Sequence, residues 1–203
     1  MTQAYTSTAT VKTFMGLGGT ADDTLLGTFA TWTNEQMESR LGAPIGPDGT
    51  ATRTFDSDGR DRLWVPHGIQ SAGTLSIADE TNGTYTDLAS TDWVIRPLAH
   101  ERKPGWPGQW VQIVDGSYVG AVPVGFGIWK FTGGVWGWAA IPGDLTMVAT
   151  TVVVKLYQRR QTGQADVVGS DEYGNALISA LLSPEDRRII DSYRDSVHTG
   201  WVG

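Results

Sequence analysis

The chain has 203 residues, no cysteine, a formal net charge of -7, 26 glycines, 9 tryptophans and only 18% charged residues. The cysteine count removes disulfides, thiolate metal sites and cysteine nucleophiles, and the acidic balance disfavours a duplex-DNA reader, which presents a basic stripe to phosphates. The length suffices for a real core without staples, and residues 1–10 have neither a basic start nor an apolar run, so a soluble, unsecreted protein with no membrane partner is expected.

Helical patterns stand at both ends and a Gly-, Trp- and Thr-rich stretch lies between them. Residues 8–17 predict a short helix with Val11, Phe14 and Met15 on one side, stopped by Gly18 and Gly19. A longer helix follows, capped by Thr20 with Asp22 and Asp23 in its first turn. It carries Leu25, Leu26, Phe29, Trp32, Gln36, Met37 and Leu41 at helical spacing and ends at Gly42 and Pro44. The middle changes period. Alternating runs at 62–66, 93–97 and 110–114 predict strands, and Asp58-Gly59 and Asp115-Gly116 are hairpin-type dipeptides. A hairpin over 128–138 with a two-residue turn at Gly133-Gly134 would pair Trp129 with Trp138 and Phe131 with Trp136.

Helical spacing returns with Leu145, Val148, Ala149, Val152 and Leu156, a helix reaching Arg160 despite its β-branched centre. Residues 162–175 are polar and punctuated by glycine, an extended arm. Ser183-Pro184-Glu185-Asp186 places an N-cap serine, a first-turn proline and two acids before Ile189, Ile190 and Tyr193, so a last helix starts there. A tail bearing Trp201 ends the chain.

The order of these pieces resembles the head-tail connector (adaptor) family of long-tailed bacteriophages. The residues that carry the resemblance are 11–17, Asp22-Asp23, Leu25-Leu26 and the Leu41-Gly42 helix end, then 53–59, 63–66, Asp92-Trp93, Ile141-Pro142 to Leu145, Leu156-Tyr157, and 183–186 to 192–194. Coverage is nearly end to end, and the order persuades more than any one landmark. The resemblance implies a virion structural protein at the neck, assembled in the host cytoplasm as a ring, usually a dodecamer. Its implied partners are other copies of itself, the portal protein, a stopper or tail-terminator protein, and genome DNA that passes through the lumen without sequence-specific binding. It also implies a helical-bundle core. The expected fold class is therefore α+β: a connector-like helical unit from 1–47 and 141–203, with a mostly antiparallel β insertion over 50–140.

No convergent catalytic set stands out, so the expectation is no enzyme and no cofactor. His67, His100 and His198 are scattered, and no nucleophile elbow or phosphate loop occurs. The run Asp56 to Asp61 superficially resembles a calcium loop, but Arg60 intrudes and no glutamate follows at the twelfth position; a polar turn is the plainer reading. Trp129, Phe131, Trp136 and Trp138 are either core, a protein interface or a sugar platform, and a tail-associated or carbohydrate-binding β module is the rival function. Arg159 and Arg160 suit a helix C-terminus. Arg187 and Arg188 sit near a helix N-terminus, where the dipole gives them no support. The expected portal or intersubunit interface is therefore Arg187, Arg188, Ile190, Tyr193, Arg194 and Trp201, docked outward rather than completing the chain's own core.

Overall fold

A computed structural model describes residues 3–81, 83–102, 105–114, 121–161 and 182–198, the last four without their side chains. Trp201, the Asp115-Gly116 turn and the arm of 162–175 lie outside the described residues. The chain divides into two compact units, Met1–Ile45 with Ile141–Gly203, and Gly46–Ala140.

The first unit holds four helices among the described residues: α1 (Thr8–Met15), α2 (Asp23–Leu41), α3 (Gly143–Gln161) and α4 (Pro184–His198). Helix α1 is capped by Ser7, whose hydroxyl accepts the Thr10 N–H. It stops at Gly16, two residues earlier than expected. There the left-handed backbone (φ 66) lets Leu17 N–H reach Lys12 C=O. Phe14, expected to face inward with Val11, is 58% exposed. Helix α2 ends at Gly42 as expected and buries Leu26, Met37 and Leu41 of its expected stripe, while Leu25, Phe29, Trp32 and Gln36 are half-buried and Ala30, Thr33 and Asn34 go inside. Helix α3 buries Leu145, Val148, Ala149, Val152 and Leu156, so spacing outweighed β-branching at 150–154. Val11, Leu26, Ala30, Val153, Val154 and Tyr157 join into one apolar cluster across α1, α2 and α3.

The second unit is one antiparallel sheet of seven strands: β1 (Pro47–Asp58), β2 (Arg62–Ser71), β3 (Thr74–Ala78), β4 (Tyr85–Asp87), β5 (Trp93–Arg96), β6 (Gly108–Ile113) and β7 (Val124–Gly137). β7 organises it. Along one side β7 pairs with β1 from Asp58↔Val124 to Pro47↔Gly137. Along the other it pairs first with β3 (Ile77↔Trp129 to Thr74↔Thr132) and then with β2 (Ser71↔Val135, Ile69↔Trp136). β2 continues to β6 and β5, and β3 to β4.

Three expectations fail here. The fold class is not a helical bundle carrying a β insertion: the architecture is mostly a curled antiparallel half-barrel sheet with four helices. The sheet has its own core of Val65, Ile69, Leu75, Ile77, Val111, Ile128, Trp129, Phe131 and Trp136, so it does not depend on helices to cover it. The hairpin over 128–138 is also absent, because β7 runs straight through Gly133-Gly134. A type I′ turn needs positive φ at both central residues, and only Gly133 has it (φ 72). Opposite it, Gly73 (φ 60) breaks what would be one strand into β2 and β3, so two neighbouring strands bend at the same level. A Cβ on Gly73 would lie 2.2 Å from the Thr132 carbonyl oxygen, which makes this corner a glycine position twice over. Paired bends of this kind curl the sheet. Asp58-Gly59 likewise makes no hairpin, since β1 pairs with β7 and β2 with β6 and β7.

Candidate functional site

The expected interface residues that are described all lie on α4. Its start follows the sequence signal closely: Asp186 N–H donates to Ser183 Oγ at 3.1 Å, and Ser183 N–H donates back to Asp186 Oδ2 at 2.9 Å, a reciprocal cap. From that fixed start the helix puts its residues on two faces. Arg187, Arg188 and Arg194 are exposed, whereas Ile190 is 2% and Tyr193 9% exposed. The set is therefore divided, and the expectation of outward docking does not hold for Ile190 and Tyr193. Both are already covered by the chain's own residues. Periodicity shows that a helix has an apolar strip but not whose surface covers it.

Tyr193 also latches α4 to the start of α3. Its phenol donates to both carboxylate oxygens of Asp144, at 3.0 and 2.9 Å. Burial, then the hydrogen bond to Asp144 and its negative charge, push the Tyr193 pKa up to about 12. A second latch runs from Lys155 on α3 to Asp186 on α4 at 3.8 Å. Neither Asp144 nor Asp186 was read from the sequence as a partner between helices, because an aspartate at a helix start reads first as part of its own cap.

The exposed face of α4 meets the C-terminal end of α2 in a cleft lined by Ser39, Arg40, Gly42, Arg187, Asp191 and Arg194. Three arginines face one aspartate. Arg194 holds Asp191 at 3.4 Å, and Arg188 holds Glu185 at 3.6 Å outside the cleft. Arg40 Nε is buried without a hydrogen-bond partner among the described residues. Arg40 is the member that sequence reasoning missed, since on α2 alone it is an ordinary last-turn cation. The cleft offers planar, bidentate donors suited to carboxylates.

His67 and His100 are exposed, and among the described residues no group of three or more histidines, aspartates and glutamates is placed to hold a metal. At the turn that resembled a calcium loop, the carboxylates point at protein: Asp56 Oδ1 accepts the Gly127 N–H, Asp58 Oδ1 the Arg60 N–H, and Asp61 Oδ2 the Gln112 amide. The four aromatics of β7 and its end are interior, Trp129 at 1%, Phe131 at 0%, Trp136 at 0% and Trp138 at 5% exposure. Phe55, Phe131 and Trp136 form a three-ring cluster with centroids 5.6–5.7 Å apart, and Trp136 Nε1 donates to Ala51 C=O. Of the three readings left open for this ladder, packing is the one observed, and no flat aromatic platform is presented there.

No protein-family model matches the chain, and no curated protein matches it in sequence. Solved structures do match in fold. A chain of the virion of the native gene transfer agent (GTA) particle is 18% identical, with a TM-score of 0.51 over 94% of this chain and 89% of that one. A chain of the neck of the empty GTA particle, computed with C6 symmetry, is 17% identical with a TM-score of 0.46, covering 78% of this chain and 81% of that one. The protein thus shares its fold, along nearly its whole length, with a component of a phage-like particle.

Proposed function

We propose that the chain is a structural subunit of a phage-like virion, a head-tail connector that forms a ring at the neck between portal and stopper and works without catalysis. The observation that carries this reading is the fold shared with a GTA virion chain across 94% of this chain and 89% of that one, an overlap that leaves little of either unmatched. The ordered sequence landmarks of connectors support it independently. The arginines on α4 and at the end of α2 supply a surface suited to an acidic neighbour, in keeping with the enrichment of arginine at interfaces. Passage of DNA through a ring lumen follows from the reading and fits a net charge of -7, which gives no strong grip on phosphates.

The rival, a tail-associated or carbohydrate-binding β module, is suggested by the seven tryptophans from Trp64 to Trp138; Trp129, Trp136 and Trp138 are buried, which weakens it, whereas Trp64, Trp93, Trp106 and Trp110 are half-buried. Cryo-electron microscopy of particles carrying a tagged copy of the chain separates the two. Tag density in a ring at the head-tail junction is expected. Density at the tail tip, or particles that assemble a complete neck when the chain is deleted, would overturn the connector reading. Particles in which Arg187, Arg188 and Arg194 are all replaced by glutamate should stall as heads without tails.

A further inference from the structure

Three guanidiniums and one carboxylate line the cleft between α2 and α4, in a chain whose net charge is -7. The positive cleft is therefore a local construction and not a reflection of overall composition. It is a concave space of about 470 Å³, bounded by Ser39, Arg40 and Gly42 at the end of α2 and by Arg187, Ile190, Asp191 and Arg194 along α4. Gly42 ends α2 with a left-handed backbone (φ 74), so the last turn, with Arg40, forms one wall.

The carboxylate already in the cleft shows what its arginines take. Asp191 Oδ1 holds Arg194 at 3.4 Å across one turn of α4. At Arg40 the counterpart is missing: its Nε is buried and donates to nothing among the described residues. A guanidinium withdrawn from water without an acceptor carries a desolvation cost, and an anion beside it offsets that cost. Arg40 as a whole is only half-buried, so an incoming group can reach it from the cleft. The partial negative charge at the end of α2 works against an anion, but it amounts to about half an elementary charge against three guanidiniums. A DNA duplex presents its phosphates along a wide ribbon and is held by a stripe of cations, whereas a bounded cleft admits one acidic side chain at a time. The planar fork of arginine fits the two oxygens of a carboxylate.

We propose that the cleft takes a carboxylate from an acidic peptide segment of a neighbouring protein, seated on Arg40, and that Asp191 is a built-in competitor that limits its affinity. Asp191 engages Arg194 and repels the incoming acid, so the contact is weaker than the arginines alone would make it. The inference deepens the connector reading and rests on it for placing the acidic segment in an adjoining ring; the chemistry of the cleft stands on its geometry.

The probe is a fluorescent hexaglutamate peptide with an amidated C-terminus, titrated with the full chain and followed by anisotropy. Saturable binding is expected, and Arg40→Gln should weaken it by about tenfold or more, the worth of one charged hydrogen bond. Arg40→Lys keeps the charge but loses the fork, so its loss should be intermediate. Arg188→Gln controls for net charge, because Arg188 lies on the same helix but pairs with Glu185 outside the cleft. It should leave binding within about twofold of the parent. Asp191→Asn should tighten binding, a gain that misfolding cannot imitate, and it decides the matter if Arg40→Gln fails to fold. No binding of hexaglutamate, equal losses from Arg40→Gln and Arg188→Gln, or no gain from Asp191→Asn overturns the proposal. So does displacement by a short DNA duplex more readily than by unlabelled peptide of the same charge, which would make the cleft a phosphate site. Peptide binding that fails while tagged copies still ring the head-tail junction refutes the cleft alone. Binding that persists with the tag elsewhere refutes the connector reading alone.

Discussion

The side-chain amide of Asn34 grips the backbone of Thr6 at both ends: Thr6 N–H donates to Asn34 Oδ1, and Asn34 Nδ2 donates to Thr6 C=O, each at 3.0 Å. Asn34 is 8% and Thr6 3% exposed, so α2 provides for the segment before α1 the two bonds that a neighbouring strand would otherwise make. Asn34→Leu leaves a buried donor and a buried acceptor unpaired. Its stability in urea should fall by about 2–4 kcal/mol, from two orphaned groups at roughly 1–3 kcal/mol each less the gain from an apolar side chain. A loss under about 1 kcal/mol would mean that the segment is not held by this pair.

Glycines at the bend of the sheet should respond unequally to a methyl group. Gly133→Ala has open space and faces only the positive φ, a cost of about 1–2 kcal/mol. Gly73→Ala has the same φ problem and also drives Cβ into the Thr132 carbonyl, so its loss should be clearly larger, measured by chemical denaturation of both variants. Equal losses would show that the backbone at 73 relaxes freely.

Two tyrosines make stability fall at alkaline pH. Tyr5 and Tyr193 each have a pKa raised from 10.0 to about 12, chiefly by burial. A raised pKa in the folded state means that the protonated phenol is favoured there, so the contribution is complete below pH 10 and is lost as pH climbs from 10 to 12. Melting temperature measured across that range should decline less steeply for Tyr193→Phe than for the parent, although the variant starts lower because it loses the bond to Asp144.

Removal of α4 is expected to damage the subunit itself. Truncation after Leu182 strips away Ile190, 2% exposed, and the Tyr193 latch, and it uncovers parts of α2 and α3. The shortened chain should melt several degrees lower, a shift of the size that about 1–2 kcal/mol produces in a domain of this length. Unchanged melting would return α4 to the role of a free docking arm.

The helices were legible because their signals are local. Ser183 and Asp186, Gly42, and the spacing from Leu145 to Leu156 each act within a few residues. The sheet was less legible because its decisive partners are remote. Nothing near Gly133 reveals that Gly73 bends beside it, and an isolated Gly-Gly reads as a turn rather than as a corner in a 14-residue strand. β1 was missed for a related reason: its burial alternates, but the inward positions Ala51, Arg53, Phe55 and Ser57 include only one large apolar residue among threonines and aspartates, so no apolar alternation marks the strand. At the candidate site, the arginines of α4 were legible from composition, whereas Arg40 joins them only through the packing of α2 against α4.

The pairing of β1 with β7 alone also sets a timetable for synthesis. β1 leaves the ribosome at Asp58 and has no strand to accept it until Val124 to Gly137 follow, an interval of several seconds or more at about 5–20 residues per second. Meanwhile β2 can find β6, and β3 can find β4, in hairpin-like intermediates of shorter range. The nascent chain therefore carries a 12-residue strand with both edges open from the completion of Asp58 until β7 is made. The charges at Asp48, Arg53, Asp56 and Asp58 are placed where they discourage that waiting strand from pairing with the nascent chain of a neighbouring ribosome.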